Sequence, residues 1–506
     1  MSKYGQWANV YFHFFYRLHM QTLPSPSAST DFDMDDWRSG YCSQPNEYAY
    51  EIDEIEGTIP DELTGTLFRN GPGLLDIAGH PVHHPFDGDG MITAISISKG
   101  KAFFRNRFVR TEGYVKEQAA GKPLYRGVFG TQKPGGPFAN AFDLRLKNIA
   151  NTNVIYWGGK LLALWEAAEP HQLDPKTLET LGLDSLEGVL RPGEAFSAHP
   201  RVDPGCDRTP RLVNFGVKTG LSSTITLYEF DLKGRLVHTH QHNIPGFAFL
   251  HDFAITPNYC IFFQNPVSFS PIPYLAGLKG AAECIQFNPK QPTRAILIPR
   301  DGTSPIQTID LQPCFVFHHA NAFEQDGKLY LDSICYQEFP DLKGAENYLD
   351  ADFSRIPEGQ LWRFELDLAT STSQAECLIE RGCEFPDLNP EHVGRPYRYL
   401  YIGVAHRAQG NAPLQAILKR DLATGQEEIW SFAPRGFAGE PIFVPRPQAN
   451  AEDDGWVLGL IYNAERRCSE LVILDAQRIE QGPIAILKLP HHIPYGLHGN
   501  FAQDLT

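Results

Sequence analysis

The chain has 506 residues, 42% of them apolar and 21% charged, an ordinary globular composition with enough material for a large core. A net charge of −16 argues against nucleic acid, whose phosphates would be repelled, and leaves a neutral, greasy ligand open. Nine cysteines without a C-x-x-C pair argue against a zinc ribbon or a disulfide framework and fit the reduced thiols of a cytosolic protein.

Residues 10–16 are a short aromatic run interrupted by His13, without a small-residue cleavage site after it. No segment reaches the roughly 18 apolar residues of a membrane helix. The expected location is cytoplasmic, peripheral on a membrane surface. Residues 21–45, rich in Pro, Ser and Asp, read as an extended lead-in, so 1–45 form a tail and 46–506 a single catalytic domain.

Beyond the tail, dense Gly and Pro cut the chain into short apolar, β-branched or aromatic runs, which is strand text. The runs at 224–230, 295–298, 361–366, 416–418 and 471–474 are each soon followed by an aspartate: Asp231, Asp301, Asp367, Asp421 and Asp475. In Asp231-Leu-Lys-Gly234 and Asp421-Leu-Ala-Thr-Gly425 that residue opens a turn, which is hairpin chemistry. Intervals of about 54 to 70 residues suit four-stranded blades, and 46–506 hold about seven of them. The fold class is therefore all-β, a seven-bladed propeller.

Chemistry on a propeller axis should draw one residue from each blade. Four of the 18 histidines sit in aromatic or small-residue text: His199, His251, His318 and His498, separated by 52, 67 and 180 residues. Glu384 and Glu440 fill the long gap, so 199, 251, 318, 384, 440 and 498 advance one blade at a time. Glu166 lies in an apolar run and needs a partner there. Other residues invite misreading. His238, His240 and His242 share one face of a strand and can chelate a metal, but their polar setting reads as an outer, solvated strand. His318 and His319 are adjacent, so only one reaches the axis. The Asp-Gly pairs at 87–90 read as a tight turn rather than a calcium site.

FRNGP (68–72), HPFDGDGM (84–91), NTNV…LLALWEAAEPH (151–171), FSAHPRVD (196–203), FLHDFAITPNY (249–259), FVFHHANAFE (315–324), CEFP (383–386), GEPIFVP (439–445) and PYGLHGNF (494–501) resemble the carotenoid cleavage oxygenase family. The resemblance runs from about residue 45 to the C-terminus and is strongest to cyanobacterial apocarotenoid-cleaving members. It implies a propeller capped by a dome of loops and short helices, with one Fe(2+) per chain on His199, His251, His318 and His498. It selects His318 over His319 through the F-H-x-x-N-A pattern. It also implies that Glu166, Glu384 and Glu440 accept hydrogen bonds from His251, His318 and His498. Four neutral imidazoles leave the ion's full charge within the site, and outer carboxylates offset it while fixing each tautomer. Four nitrogens with open positions suit iron(II) and oxygen better than structural zinc.

The implied reaction is dioxygenase cleavage of a conjugated C=C bond in an apocarotenoid, at the 15,15′ bond, giving retinal and a second aldehyde. The partners are an apolar polyene and O2. The rival readings are a stilbene-cleaving dioxygenase, a retinoid isomerase and a carotenoid-binding protein without cleavage. Trp165, Phe249, Phe317, Phe385 and Phe129 are candidates for a substrate tunnel wall. The segment from Pro266 to Leu278 is apolar, with prolines expected to forbid regular structure, and is expected to contact a membrane.

Overall fold

The computed structural model describes residues 31–506 except 206–208, 221, 341–344, 346, 504 and 506; the aromatic run at 10–16 lies outside the described residues. Blade 3 shows the building plan: Arg201–Asp203, Arg211–Lys218, Ser222–Phe230 and Leu236–Pro245 pair in sequence order, each antiparallel to the last. Among the described residues seven such sheets follow one another around a ring, innermost strand beside innermost strand. The protein is a seven-bladed propeller, as the spacing of the strand text indicates.

The aspartates that mark the repeat have one shared task. Asp231, Asp301, Asp367, Asp421 and Asp475 each end or follow the third strand of their blade. Each accepts a hydrogen bond from the backbone N–H two residues on, at 2.8–3.0 Å. The side chain thus closes the turn into the fourth strand. Asp174 does the same in blade 2 with Lys176. The sequence pattern misses it because the preceding strand, His171–Leu173, is only three residues long.

Blades 1 and 7 lock the ring. In blade 1 the C-terminal strand Gly499–Ala502 supplies the innermost position against Gly65–Leu74, and Ala49–Glu51 supplies the outermost. Ile55–Gly57 crosses to blade 7 and pairs with Pro483–Lys488. Ile55–Gly57 and Gly499–Ala502 are therefore each tied into a sheet made mostly of another stretch of the chain.

The core lies between the blades rather than within one layer. Middle strands are buried on both faces, which explains runs such as Tyr259–Gln264, where Ile261 and Phe263 face blade 5 and Phe262 faces blade 3. Each seam has its own apolar cluster, for example Leu67, Ile95 and Phe104 with Leu458 and Leu471 between blades 1 and 7.

Two expectations need correction. Part of the lead-in is helical: Met34–Ser39 is capped by Asp33, whose carboxylate accepts from the Asp35 and Asp36 amides, and Trp37 is buried against Phe353. The prolines of the segment from Pro266 to Leu278 do not forbid regular structure either. Pro271 and Pro273 sit within a short helix, Pro271–Leu275, where Pro271 takes the first position and its missing N–H costs nothing.

That helix belongs to the dome. Its end packs on a second insertion, with the Phe142 amide donating to the Leu275 carbonyl at 2.9 Å and Arg126 stacked over Tyr274. The two insertions present Phe138, Phe142 and Ile272 outward, 99%, 79% and 76% exposed. Among the described residues no helix is long and apolar enough to cross a membrane.

Candidate metal centre

His199 and His251 stand just before the innermost strands of blades 3 and 4, Arg201–Asp203 and Ala254–Ile255. His318 lies in that of blade 5, Phe315–Gln325, and His498 just before Gly499–Ala502 of blade 1. Their ring nitrogens converge, with one from each histidine all within 4.8 Å of one another. Nε2 of His199 is 3.2 Å from Nε2 of His498, and those of His251 and His318 are 3.3 Å apart. Nitrogens bonded to one ion at about 2.1 Å in adjacent positions stand roughly 3 Å apart, so this group fits a metal ion.

The three glutamates are placed behind the rings. Nδ1 of His251 is 2.8 Å from Glu166, Nδ1 of His318 is 2.6 Å from Glu384, and Nδ1 of His498 is 2.8 Å from Glu440. A carboxylate at Nδ1 keeps the proton there and turns the Nε2 lone pair inward. Nδ1 of His199 is buried without a partner.

Strand irregularities aim these side chains. Phe317 and His318 sit in a bulge between the Val316 and His319 pairs, Phe385 bulges between Glu384 and Pro386, and Gly439 and Glu440 bulge between Ala438 and Pro441. Phe385 adopts a left-handed φ of +60° as the extra residue. Its ring then lies 5.7 Å from that of His318 and 5.4 Å from that of His498.

The bulge also separates the two adjacent histidines. His318 joins the quartet. His319 turns into the blade seam, with Nδ1 2.7 Å from the Ser333 hydroxyl and its ring edge-on to Phe263.

The outer layer contains residues that the motif spacing does not single out. The Tyr336 hydroxyl donates to Glu384 at 2.6 Å, and the Phe385 amide donates to the same carboxylate at 2.9 Å. Arg69 donates to Glu440 and, at 2.8 Å, to the Leu497 carbonyl. Arg69 stands inside the FRNGP motif, a usable signal; Tyr336 has none.

Burial works against every charge here. It would raise Glu384, yet His318, Tyr336 and the Phe385 amide hold the carboxyl below the usual range; Arg69 and His498 do this for Glu440, and His251 for Glu166. His199 is driven far down by burial and then by the other three rings. Burial also depresses His318, but Glu384 outweighs it and the ring ends above its ordinary value. Three carboxylates against the Arg69 guanidinium leave two negative charges, which a dication would balance. The donor set therefore suits a divalent ion in charge as well as in geometry.

The five tunnel candidates separate. Phe317 meets the His251 ring edge-on at 5.4 Å, and Phe385 touches two rings as described. Trp165 is buried next to Glu166 in sequence, and Phe249 packs one layer back on Phe315. Phe129 makes its ring contacts elsewhere in the dome, stacked on His84 and edge-on to Phe86. Glu166 keeps 31% of its side chain accessible, against 15% for Glu384 and 12% for Glu440, so it is the least sheltered of the three carboxylates. Both aspartates of the Asp-Gly pairs are engaged within the protein. Asp87 accepts from the Phe129 and Thr131 amides and Asp89 pairs with Lys147.

Residues 41–503 match the family model described as retinal pigment epithelial membrane protein, RPE65. The chain is 55% identical over 490 residues to apocarotenoid-15,15′-oxygenase of Synechocystis, covering 96% of this chain and all of that one. It is 32% identical over 473 residues to lignostilbene-alpha,beta-dioxygenase isozyme III of Sphingomonas paucimobilis, covering 89% and 93%. A crystal structure of cobalt-substituted Synechocystis ACO superposes with a TM-score of 0.92 at 56% identity, over 94% of this chain and 99% of that one. Likeness of this extent, on a propeller with four histidines converging at its inner strands, shows that the chain belongs to the RPE65 family of carotenoid oxygenases.

Proposed function

We propose that this protein is an iron(II) dioxygenase that cleaves an apocarotenoid, an apocarotenal or apocarotenol, at its 15,15′ double bond to yield retinal and a second aldehyde. The observation that carries this reading is the histidine quartet bordered by Phe317 and Phe385, four converging nitrogens beside aromatic rings. The likeness to an enzyme named for that bond supports the choice of substrate.

His199, His251, His318 and His498 would hold the ion, which when bound supplies dioxygen activation. Glu166, Glu384 and Glu440 keep the Nδ1 protons in place and so keep three rings in the ligating tautomer. Phe317 and Phe385 offer apolar faces against which a rigid polyene is oriented without hydrogen bonds. One C=C bond and one O2 balance to two C=O groups, so no proton is gained or lost and no side chain need act as acid or base. The exposed Phe138, Phe142 and Ile272 are suited to contact with a bilayer, where such substrates reside, and support the reading of a cytoplasmic protein peripheral on a membrane.

Incubation of the iron-loaded protein with an apocarotenal under labelled O2 tests the reading. Label in both carbonyl products is expected. An isomerised alcohol or unchanged substrate would overturn it, and turnover of a stilbene alone would move the protein to that class.

A further inference from the structure

The strand Leu236–Pro245 is the outer edge of blade 3 and is bonded on one side only, to Ser222–Phe230. Val237, Thr239, Gln241 and Asn243 are exposed, whereas His238, His240 and His242 are half-buried on the other face. That face lies against blade 4, at the turn after Thr293–Pro299. There Gly302 has a φ of +69°, and a Cβ on it would come within 3.3–3.4 Å of the His238 and His240 rings. The glycine makes room for them. A solvated strand thus describes only alternate residues.

The three imidazoles touch in series, with centroids 5.0 Å apart for His238 and His240 and 4.7 Å apart for His240 and His242. Nδ1 of His240 lies 2.5 Å from Nε2 of His242, a gap with room for one hydrogen at most. Burial, then His242 and His238, bring His240 down to about 4, and burial lowers His242, so both rings are neutral near pH 7. Neutral imidazoles offer lone pairs. Two such nitrogens on one ion at about 2.0–2.1 Å stand roughly 3 Å apart, so a small rotation turns this contact into a chelate. The nearby carboxylates are engaged elsewhere, Asp301 with the Thr303 and Ser304 amides and Glu229 with Arg211 and Arg300.

We propose that His240 and His242, with His238 beside them, chelate a borderline divalent cation of the zinc or copper class on the seam between blades 3 and 4, separate from the axial quartet. Donors that are imidazole alone, half-sheltered and on an edge strand, suit that class over magnesium or calcium.

The test uses the iron-loaded full-length protein, equilibrated with Zn2+, freed of loose ions by gel filtration and counted for both metals. The expected result is unchanged iron plus one zinc per chain, with the zinc lost in the H240Q/H242Q double variant and bound at least tenfold more weakly by H240Q. Equal zinc in parent and double variant, no retained zinc in the parent, or zinc gained only at the expense of iron would overturn the site. A Cu2+ EPR spectrum of the parent gives a reading independent of any variant's folding. Hyperfine splitting from imidazole nitrogens at unchanged iron content supports the chelate, whereas oxygen-only ligation, or nitrogen splitting that appears only as iron is displaced, overturns it.

Discussion

Arg69 and Glu440 form an ion pair inside the protein where blade 1 meets blade 7, with 5% and 12% of their side chains accessible. The carboxylate also accepts from Nδ1 of His498 at 2.8 Å and from the Gly499 amide at 3.1 Å. The same guanidinium donates to the Leu497 carbonyl at 2.8 Å. One cation thus fixes both the carboxylate behind His498 and the backbone that leads into it.

Replacing Arg69 with Met strands a buried carboxylate, a loss of about 3–5 kcal/mol when one partner of such a pair is removed. Denaturant unfolding of the metal-free protein should register that loss, and metal content should fall with it. Arg69→Lys keeps the charge and should recover part of both. Wild-type stability in the Met variant would rule out the role given to the pair.

His318→Ala should abolish metal binding, whereas His319→Ala should retain it. The second change removes only a hydrogen bond to Ser333 and an aromatic contact, so its effect is on stability, on the order of 2 kcal/mol. Metal analysis of the two purified variants decides, and loss of metal in His319→Ala alone would reverse the assignment.

Glu384→Gln removes the charge that fixes the His318 tautomer, and loss of such an outer partner weakens metal binding by about 10–100-fold. Tyr336→Phe removes one donor to that carboxylate and should weaken it by less, roughly 2–10-fold for a hydrogen bond of about 0.5–1.5 kcal/mol. Competition against a chelator of known affinity measures both. The order, Gln worse than Phe, is the discriminating result.

Asp387 supplies a pH dependence. Burial, aided by Glu440 and opposed by the Phe443 amide bond of 2.6 Å, raises its carboxyl from 3.8 to about 7. The folded state then holds a proton that the unfolded state releases, so stability falls as pH rises from about 4 to 7 and levels off above that. Asp387→Asn keeps an acceptor for the Phe443 amide and cannot ionise. Its profile should be flatter through this window, with a gain on the order of 4 kcal/mol at pH 8. A parallel pair of pH profiles would contradict the assignment.

Phe138→Ser, Phe142→Ser and Ile272→Ser together should reduce partition onto lipid vesicles at least tenfold, since each exposed apolar side chain contributes about 1.5–3 kcal/mol when fully buried. Phe269 and Leu275 are half-buried within the dome, so serine there should affect folding before it affects binding. Unchanged vesicle binding of the triple variant would remove the membrane surface from the proposal.

Much of this was legible along the chain because it depends on local chemistry. An aspartate after an apolar run closes the turn into the fourth strand in the five blades where the pattern marks it, and the spacing of those five gave the blade length. One histidine or glutamate per blade followed from the same period. Relationships across the ring were not legible. Arg69 meets Glu440 across 371 residues, and the strands that complete blades 1 and 7, Gly499–Ala502 and Ile55–Gly57, come from distant parts of the chain. Phe138 and Phe142 carry no signal along the chain, and only the fold turns them outward.

The residues of the candidate metal centre were legible in the sequence, through blade spacing and motif. Which way they point was decided by the tertiary structure. A regular strand sends alternate side chains to opposite faces, and the bulges at Phe317–His318, Phe385 and Gly439–Glu440 each add one residue that breaks this alternation. Those extra residues are tolerated because the inner strands pack around a common axis, and that packing is a property of the closed ring.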